Sequence, residues 1–139
     1  MSGFFKNIYQ NFLLRYNFNM LVNSKDLVWT RHSEEKMLQY GLSKSRVLRV
    51  LRHPDRIEEG IVPETVAVMQ KAGSKKRPYE IWVMYQIKSS DSKIKKTKAL
   101  KLKIISTWKY PGRSPKGKVI YIPPDTLEFL NFSQNSSLV

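Results

Sequence analysis

The chain of 139 residues has no cysteine, and this absence excludes disulfide bonds and thiolate metal sites. It has only two histidines, His32 and His53, which stand at opposite ends of a predicted helix pair and argue against a zinc site. It also has no glycine-rich phosphate loop and no Gly-x-Ser-x-Gly nucleophile turn. The sequence therefore predicts neither a metal ion nor a cofactor.

Long hydrophobic runs are absent as well. No apolar run approaches the roughly 20 residues that a membrane-spanning helix needs, so we expect no membrane span. The first six residues lack the charged-then-apolar order of a secretory signal, and we expect a cytoplasmic protein. Hydrophobic residues nevertheless make up 41% of the chain, which predicts one folded domain with a modest core.

Acidic residues are the third scarce class. The chain has 11 Asp and Glu against 25 Lys and Arg, which gives a net charge of +14. The imbalance is concentrated between Lys71 and Lys118, where fifteen basic residues stand against Glu80 and Asp91 alone. So dense an excess of one sign repels itself, and a polyanion is its natural partner. A solubilising surface is the plain alternative, but we favour a nucleic acid.

Two short helices are predicted in the first half of the chain. Thr30 or Ser33 can cap the first helix, and Gly41 suits the left-handed residue that ends it. Ser43 can cap the second helix, and Pro54 stops it because the residue before a proline avoids the helical region.

The second helix carries a basic face. Arg46, Arg49 and His53 recur at i, i+3 and i+7 and therefore share one side of the helix. The apolar residues of the same segment recur at helical spacing and predict a buried stripe on the other side.

Beyond Pro54 the pattern is typical of strands. We predict strands over residues 56–62, 65–70, 79–88 and 99–110, a short strand at 27–29, an edge strand over 119–122 and a brief helix at 126–129. In the first of these strands Ile57 is expected to point inward and Glu58 outward. The predicted fold is α+β, with N-terminal helices packed on one face of a four- to five-stranded antiparallel sheet. We expect a helical extension over 1–26, a single domain over 27–130 and a flexible tail over 131–139.

The last long strand is predicted to have one basic face. By strict alternation Lys101, Lys103 and Lys109 lie together on the face opposite Trp108. Two loops punctuated by glycine and proline, 72–78 and 111–117, carry further basic residues. Tryptophan rings could also stack on bases. The predicted RNA-binding residues are Arg49, Lys75, Lys76, Arg77, Lys101, Lys103, Trp108, Lys109 and Lys116.

The segment 30–60 also resembles a known family. Its pattern His-x-x-x-Lys-Met-x-x-Tyr-Gly-Leu-Ser, followed by a helix and His-Pro-Asp-Arg-Ile-Glu-Glu-Gly, looks like a bacterial family of unknown function. Members of that family typically begin Thr-x-His-Ala-x-x-Arg-Met-x-x-Arg-Gly-Ile-Ser, and their layout is similar to small toxins of the RelE/ParE and BrnT type. The likeness covers roughly residues 27–110. Ser33, Lys36 and Tyr40 depart from the pattern, where the family has alanine and two arginines.

The resemblance implies a metal-independent endoribonuclease that acts on RNA, free or on the ribosome, with an antitoxin protein as its partner. Arg, Lys, His and Tyr suffice for this chemistry, in which the 2′-hydroxyl loses a proton, the phosphorane is stabilised and the 5′-oxygen gains a proton. His32 matches the leading histidine of the family, and a helix N-terminus favours its neutral ring. The predicted catalytic residues are His32, Arg46, Tyr110 and Arg113.

Two other interpretations stay open. The same basic surface would serve a non-catalytic RNA- or ribosome-binding module. Alternatively, the apolar residues of a predicted helix at 2–19, which include Phe4, Phe5, Phe12 and Leu13, would dock a partner protein. The oligomeric state is left open by the sequence.

Overall fold

The computed structural model describes residues 27–59, 62, 64–90 and 99–136. Within these residues the fold is α+β, as predicted, with three helices and a five-stranded sheet. The strands are β1 (Leu27–Trp29), β2 (Arg56–Glu59), β3 (Thr65–Gly73), β4 (Pro78–Ser90) and β5 (Ala99–Pro111), and the helices are α1 (Arg31–Tyr40), α2 (Lys44–Arg52) and α3 (Pro124–Ser136). The predicted extension over 1–26, with its helix at 2–19, lies outside the described residues.

The five strands form one open, mostly antiparallel sheet in the order β1-β5-β4-β3-β2. Strands β2 to β5 are antiparallel neighbours in chain order, whereas β1 pairs with β5 in parallel. A parallel pair needs a long connection, and here residues 30–98 supply it. No helix within the described ranges is both long and apolar enough to cross a membrane.

The helix ends follow the predicted capping residues. The Thr30 hydroxyl accepts a hydrogen bond from the Ser33 amide at 3.1 Å, and the Ser43 hydroxyl accepts one from the Arg46 amide at the same distance. Gly41 ends α1 with φ at 65°, in the left-handed region that a glycine adopts without strain. The local sequence therefore determines where both helices begin and where α1 ends.

Both faces of the sheet bury apolar side chains. One face, called the valine face, packs against α2, and its buried members include Val47, Val50, Val66, Val68, Ile81, Val83 and Tyr85. The other face, called the tryptophan face, packs against the chain that follows β5, and its buried members include Met69, Trp82, Met84, Trp108, Ile120, Ile122 and Leu130. The candidate site lies on the tryptophan face.

A β-bulge interrupts the pairing of β4 with β5. Met84 lies opposite Ser106, whereas Tyr85 lies opposite Ile104, so Ile105 is an extra residue in β5. The alternation of side chains therefore shifts by one residue at this point.

The bulge separates three lysines that strict alternation places together. Lys103 lies opposite Gln86 and Lys109 opposite Ile81, and these two partners are on opposite faces of β4. Lys101 and Lys103 belong to the tryptophan face and Lys109 to the valine face. The prediction that they share one face is wrong, because no local signal in the sequence marked the inserted residue.

The edge strand β2 is also oriented differently from the prediction. Ile57 is 38% exposed, while the side chain of Arg56 is only 12% exposed and that of Glu58 34%. The inward side of β2 is therefore the polar one. Edge strands have a neighbour on one side only, so their pattern is a weaker guide to burial.

The chain after β5 departs from the predicted edge strand and brief helix. Residues 119–122 form no strand, but Ile120 and Ile122 are buried on the tryptophan face. Helix α3 begins at Pro124, with Asp125 in its first turn, and continues to Ser136. It is longer than the predicted helix at 126–129 and includes much of the predicted tail.

Candidate functional site

The β3–β4 hairpin forms one end of the sheet, called the hairpin end. Gly73 pairs with Pro78 across a loop of residues 74–77. Gly73 has φ at 82°, and a Cβ atom there would lie 2.3 Å from the carbonyl oxygen of Arg77. Only glycine therefore closes this hairpin without strain.

The loop that follows β5 folds back over the hairpin end. The Gly112 amide donates a hydrogen bond to the Pro78 carbonyl at 2.8 Å. The guanidinium of Arg113 donates to the carbonyls of Tyr79 and Ala72. These bonds bring the two basic loops, 74–77 and 112–118, to the same place.

A pocket of about 480 Å³ opens at this end, on the tryptophan face. Lys71 of β3 lies opposite Glu80 of β4, and Arg56 of β2 lies opposite Met69 of β3, so three strands contribute side chains to one hollow. The pocket is lined by Asp55, Arg56, Glu58, Met69, Lys71, Glu80, Arg113, Ser114, Lys116 and Gly117.

Glu80 is the buried carboxylate of this pocket, with 1% of its surface exposed. One oxygen accepts a hydrogen bond from the Trp82 indole at 3.1 Å, and the other accepts one from the Ser114 amide at 3.2 Å. A buried carboxylate needs such partners because it has lost its water. Glu80 therefore ties the loop after β5 to the sheet.

Arg56 lies on the other side of the same loop. Its Nε donates to Glu58 at 2.6 Å, its Nη1 donates to the Ser114 hydroxyl at 2.9 Å, and its guanidinium lies 5.5 Å from the Trp82 ring. Arg56 and Glu80 thus hold Ser114 between them. The result is a pocket whose opposite charges have fixed positions.

Exposed cations surround the pocket, and we call them the basic rim. Its members are Lys71, Lys75, Lys76, Arg77 and Lys116. Four of them are predicted RNA-binding residues, and the folded loops bring these to one end of the sheet. Tyr110, another predicted site residue, lies directly opposite Glu80 on β5.

Three further predicted cations lie at the hairpin end but on the valine face. The Lys109 ammonium is 5.1 Å from the centre of the Tyr79 ring. Arg46 donates a hydrogen bond to the Gln70 side chain. Burial lowers the pKa of Arg46, as does the charge of neighbouring Arg49, while Tyr79 opposes the shift. Positive charge therefore continues around the hairpin end onto its second face.

His32, the predicted proton-exchanging residue, is held in a different place. Its Nε2 is 3.1 Å from the hydroxyl of Thr126, and its ring stacks on Phe129 with centroids 4.8 Å apart. The Thr126 hydroxyl in turn lies 2.8 Å from that of Ser106, and both of these residues are fully buried. In the structure His32 joins α1 to α3.

An ion pair between buried Lys36 and half-exposed Asp125 strengthens the same junction. Lys36 is 3% exposed. Its ammonium lies 2.9 Å from an Asp125 carboxylate oxygen and 3.1 Å from the Gln39 side-chain oxygen. We call His32, Lys36, Asp125 and Thr126 the helix anchor. Lys36 also lies 5.0 Å from the Tyr40 ring, so two departures from the family pattern contact each other.

The helix anchor shifts the pKa of two groups. Burial lowers the pKa of His32 below its usual value, against the opposing charge of Asp125. Burial alone would raise the pKa of Asp125, but the hydrogen bond and charge of Lys36 lower it below its usual value, helped by His32. Both shifts follow from packing between α1 and α3.

The four predicted catalytic residues do not meet at one site. His32 belongs to the helix anchor and Arg46 to the valine face, whereas Arg113 lines the pocket and Tyr110 lies beside it. The structure does not bring His32 and Arg46 together with Arg113. Spacing in the sequence could not show that α1 docks against α3.

Three predicted RNA-binding residues also lie away from the pocket. Trp108 is fully buried and stacks on Trp82 at 6.2 Å, so it has no face for a base, and this prediction is wrong. Lys101 lies opposite Lys88, about 26 Å along the strand from the level of Glu80. The pKa of Lys103 is below its usual value, mainly because of burial and to a smaller extent because of the charge of Lys88.

Sequence reasoning missed the acidic wall of the pocket. Glu58 and Glu80 come from different strands, β2 and β4, and line the same pocket. One signal was available: Glu80 alternates with Trp82 and Met84, which places a charge on an apolar strand face. In the part of the chain that the structure describes, no three histidine, aspartate or glutamate side chains are placed to hold a metal ion.

Comparisons of the chain with protein-family models, with curated proteins and with solved structures find no match in any of the three. Function is therefore inferred from the pocket and from the charges around it.

Proposed function

We propose that this protein binds RNA at the hairpin end and cleaves it in the pocket by 2′-hydroxyl transesterification, without a metal ion. The observation that carries the proposal is a pocket in which carboxylates from β2 and β4 face Arg56, Lys71 and Arg113. A site that only held phosphate would be weakened by negative charge in its wall. Proton transfer, in contrast, needs a base beside the phosphate.

The pocket supplies a group for each chemical requirement. Glu58 accepts the proton of the 2′-hydroxyl, and the 2′-oxygen attacks phosphorus while the bond from phosphorus to the 5′-oxygen breaks. The Lys71 ammonium gives its proton to the departing 5′-oxygen. The products are a 2′,3′-cyclic phosphate and a 5′-hydroxyl. Arg56 and Arg113 stabilise the charge that develops on the phosphoryl oxygens.

The roles of the two carboxylates follow from their exposure. The Glu58 side chain is 34% exposed and pairs with Arg56 at 2.6 Å, so it combines access to solvent with a fixed position. Glu80 is 1% exposed and already accepts two hydrogen bonds, so it acts as a positioning residue for the loop that carries Arg113.

The basic rim supports RNA as the ligand. Its exposed members other than Lys71, namely Lys75, Lys76, Arg77 and Lys116, can contact phosphates on either side of the one in the pocket. Such contacts supply most non-specific affinity. Arg49 and Lys109 extend the positive surface onto the valine face. The net charge of +14 agrees with a polyanionic partner.

The family resemblance adds two elements to the proposal. The order of one short strand, two helices and four strands supports a layout similar to the RelE/ParE and BrnT toxins, although a shared layout does not imply a shared activity. On this resemblance the substrate is RNA in the cytoplasm, free or on the ribosome. An antitoxin protein would cover the basic rim.

One observation favours a second candidate, a non-catalytic RNA- or ribosome-binding module. The guanidiniums of Arg56 and Arg113 already donate to protein acceptors, so they have fewer donors left for a phosphate. In that case the pocket holds the loop in place and the basic rim alone binds RNA.

The two candidates differ in what happens to bound RNA. Purified protein is incubated with total RNA in excess EDTA, and products are resolved by electrophoresis. We expect cleavage that falls by about 100- to 10,000-fold in Glu58→Gln and in Lys71→Ala, because each removes a proton-transfer group. Glu34→Gln and Lys88→Ala are matched controls and should cleave at the full rate. Full activity in Glu58→Gln would exclude this mechanism, and tight, salt-sensitive binding of intact RNA would favour the module.

A further inference from the structure

The chain that leaves the pocket exposes an aromatic ring beside the basic loop. Residues 119–122 alternate in burial: Ile120 and Ile122 are 6% and 9% exposed, whereas Val119 and Tyr121 are 91% and 51% exposed. The buried isoleucines fix the backbone on the tryptophan face, so the outward direction of Tyr121 is fixed as well.

A second tyrosine, Tyr110, packs against the Tyr121 ring. The Tyr110 and Tyr121 rings have centroids 6.2 Å apart and are tilted by 47°. Tyr110 is half-buried and lies opposite Glu80, which lines the pocket. Tyr121 therefore packs against a residue whose neighbour on β4 lines the pocket. Because the Tyr121 side chain is already ordered, it loses little conformational entropy when an aromatic ring of a ligand stacks on it.

The charge around Tyr121 suits one kind of partner. Lys118 is exposed three residues before it, and Lys116 lines the pocket. An exposed aromatic ring beside cations is the combination with which proteins bind single-stranded nucleic acid, because bases stack on the ring while cations contact the phosphates. A protein partner would not need the cations, and a bare polyanion would not need the ring.

We infer that Tyr121, held by Tyr110, is a stacking site for one unpaired base of an RNA strand whose phosphate occupies the pocket. The inference rests on the proposed RNA binding and adds the substrate class, single-stranded RNA. A base in a duplex has both faces covered by its neighbours, so a paired strand cannot use the ring. Since every base has such a face, the stacking site selects strandedness and not sequence.

The test compares three labelled ligands by fluorescence anisotropy at fixed salt: a single-stranded RNA 10-mer, the same strand made of abasic units, and the same sequence as a duplex. All three carry 2′-O-methyl groups, so that the proposed transesterification cannot cleave them during the measurement. Tyr121→Ala should weaken binding of the intact single strand by about 5- to 100-fold. It should leave the abasic strand and the duplex within about 2-fold of wild type, because their contacts are with phosphate only. Tyr121→Phe should bind all three ligands as wild type does, and Leu127→Ala serves as an exposed apolar control on α3.

The outcomes separate this inference from the proposal beneath it. If wild-type protein binds none of the three ligands, RNA binding itself is refuted and the stacking site with it. If wild-type protein binds but Tyr121→Ala weakens all three ligands equally, or none, only the stacking site is refuted. A change from dimer to monomer in Tyr121→Ala, seen by size-exclusion chromatography, would assign the ring to a contact between copies and also refute it.

Discussion

Two clusters of charged groups in this protein contain similar residues but have different roles. In the helix anchor, Lys36 is 3% exposed and its ammonium is paired with Asp125 and Gln39. At the hairpin end, lysines and arginines of the basic rim are exposed around an open pocket. The first cluster is closed by its own partners, and the second leaves its cations available to a ligand.

The comparison shows why the type of a residue is a poor guide to its role. His32 has the side chain of a general base and was the predicted proton-exchanging residue, yet its ring contacts Thr126 and Phe129. Arg56 and Glu80 are not among the predicted site residues, yet they hold the loop that completes the pocket. Whether a charged group is structural or functional depends on whether the fold satisfies it internally.

The largest expected effect concerns the stability provided by the helix anchor. Asp125→Ala leaves the buried Lys36 ammonium without its counter-ion, and we expect a loss of about 3 kcal/mol in the free energy of unfolding. Lys36→Met leaves Asp125, whose side chain is 50% exposed and can be hydrated, so about 1 kcal/mol is expected. Urea denaturation measures both, with Glu128→Ala as a control on the same helix.

The order of these two losses tests the contrast between the regions. RNA binding should be unchanged in either variant that remains folded. Equal and small losses would mean that the anchor is as hydrated as the basic rim.

The next expected effect concerns the electrostatics of the hairpin end. Replacing Lys75, Lys76 and Arg77 together with alanine should reduce the slope of log affinity against log salt by about 2 units for single-stranded RNA, because three phosphate contacts are lost. Stability should change by less than about 0.5 kcal/mol, since these side chains are exposed. The double variant Lys88→Ala with Lys101→Ala removes charge at the far end of the strands and should alter the slope less. An equal change in both variants would show that RNA binding is not localised.

The smallest expected effect is a dependence of stability on pH that arises from His32. Its pKa is lower in the folded protein than the usual 6.5, so the unfolded chain binds more protons in this range. The free energy of unfolding should therefore fall as the pH drops below about 6.5, and a second loss should follow below the usual 3.8 of Asp125, whose pKa is also lowered. Urea denaturation between pH 8 and 5 measures the first loss.

Matched histidine variants assign this pH dependence. His32→Gln should reduce it, whereas His53→Gln should retain it, because His53 is exposed at the end of α2. Neither His32→Gln nor His53→Gln should alter RNA binding by the basic rim. A pH dependence that persists in His32→Gln would show that His32 is not the group whose protonation differs between the folded and the unfolded protein.

Features that depend on near neighbours and on composition can be predicted from the sequence alone. Thr30, Gly41 and Ser43 fix helix ends through bonds that reach only a few residues along the chain. Alternating apolar residues located the long strands, and the excess of basic residues between Lys71 and Lys118 indicated the charge of the later half.

Which of those features share a site depends on strand pairing and helix docking in the folded protein. A single inserted residue at the bulge moved Lys109 to the face opposite Lys103, and docking of α1 against α3 removed His32 from the candidate site. The pocket itself joins side chains of three strands and a loop that are far apart along the chain. Register and docking are set by contacts between distant segments, which no local pattern records, and this is why the sequence predicted the elements but not the site.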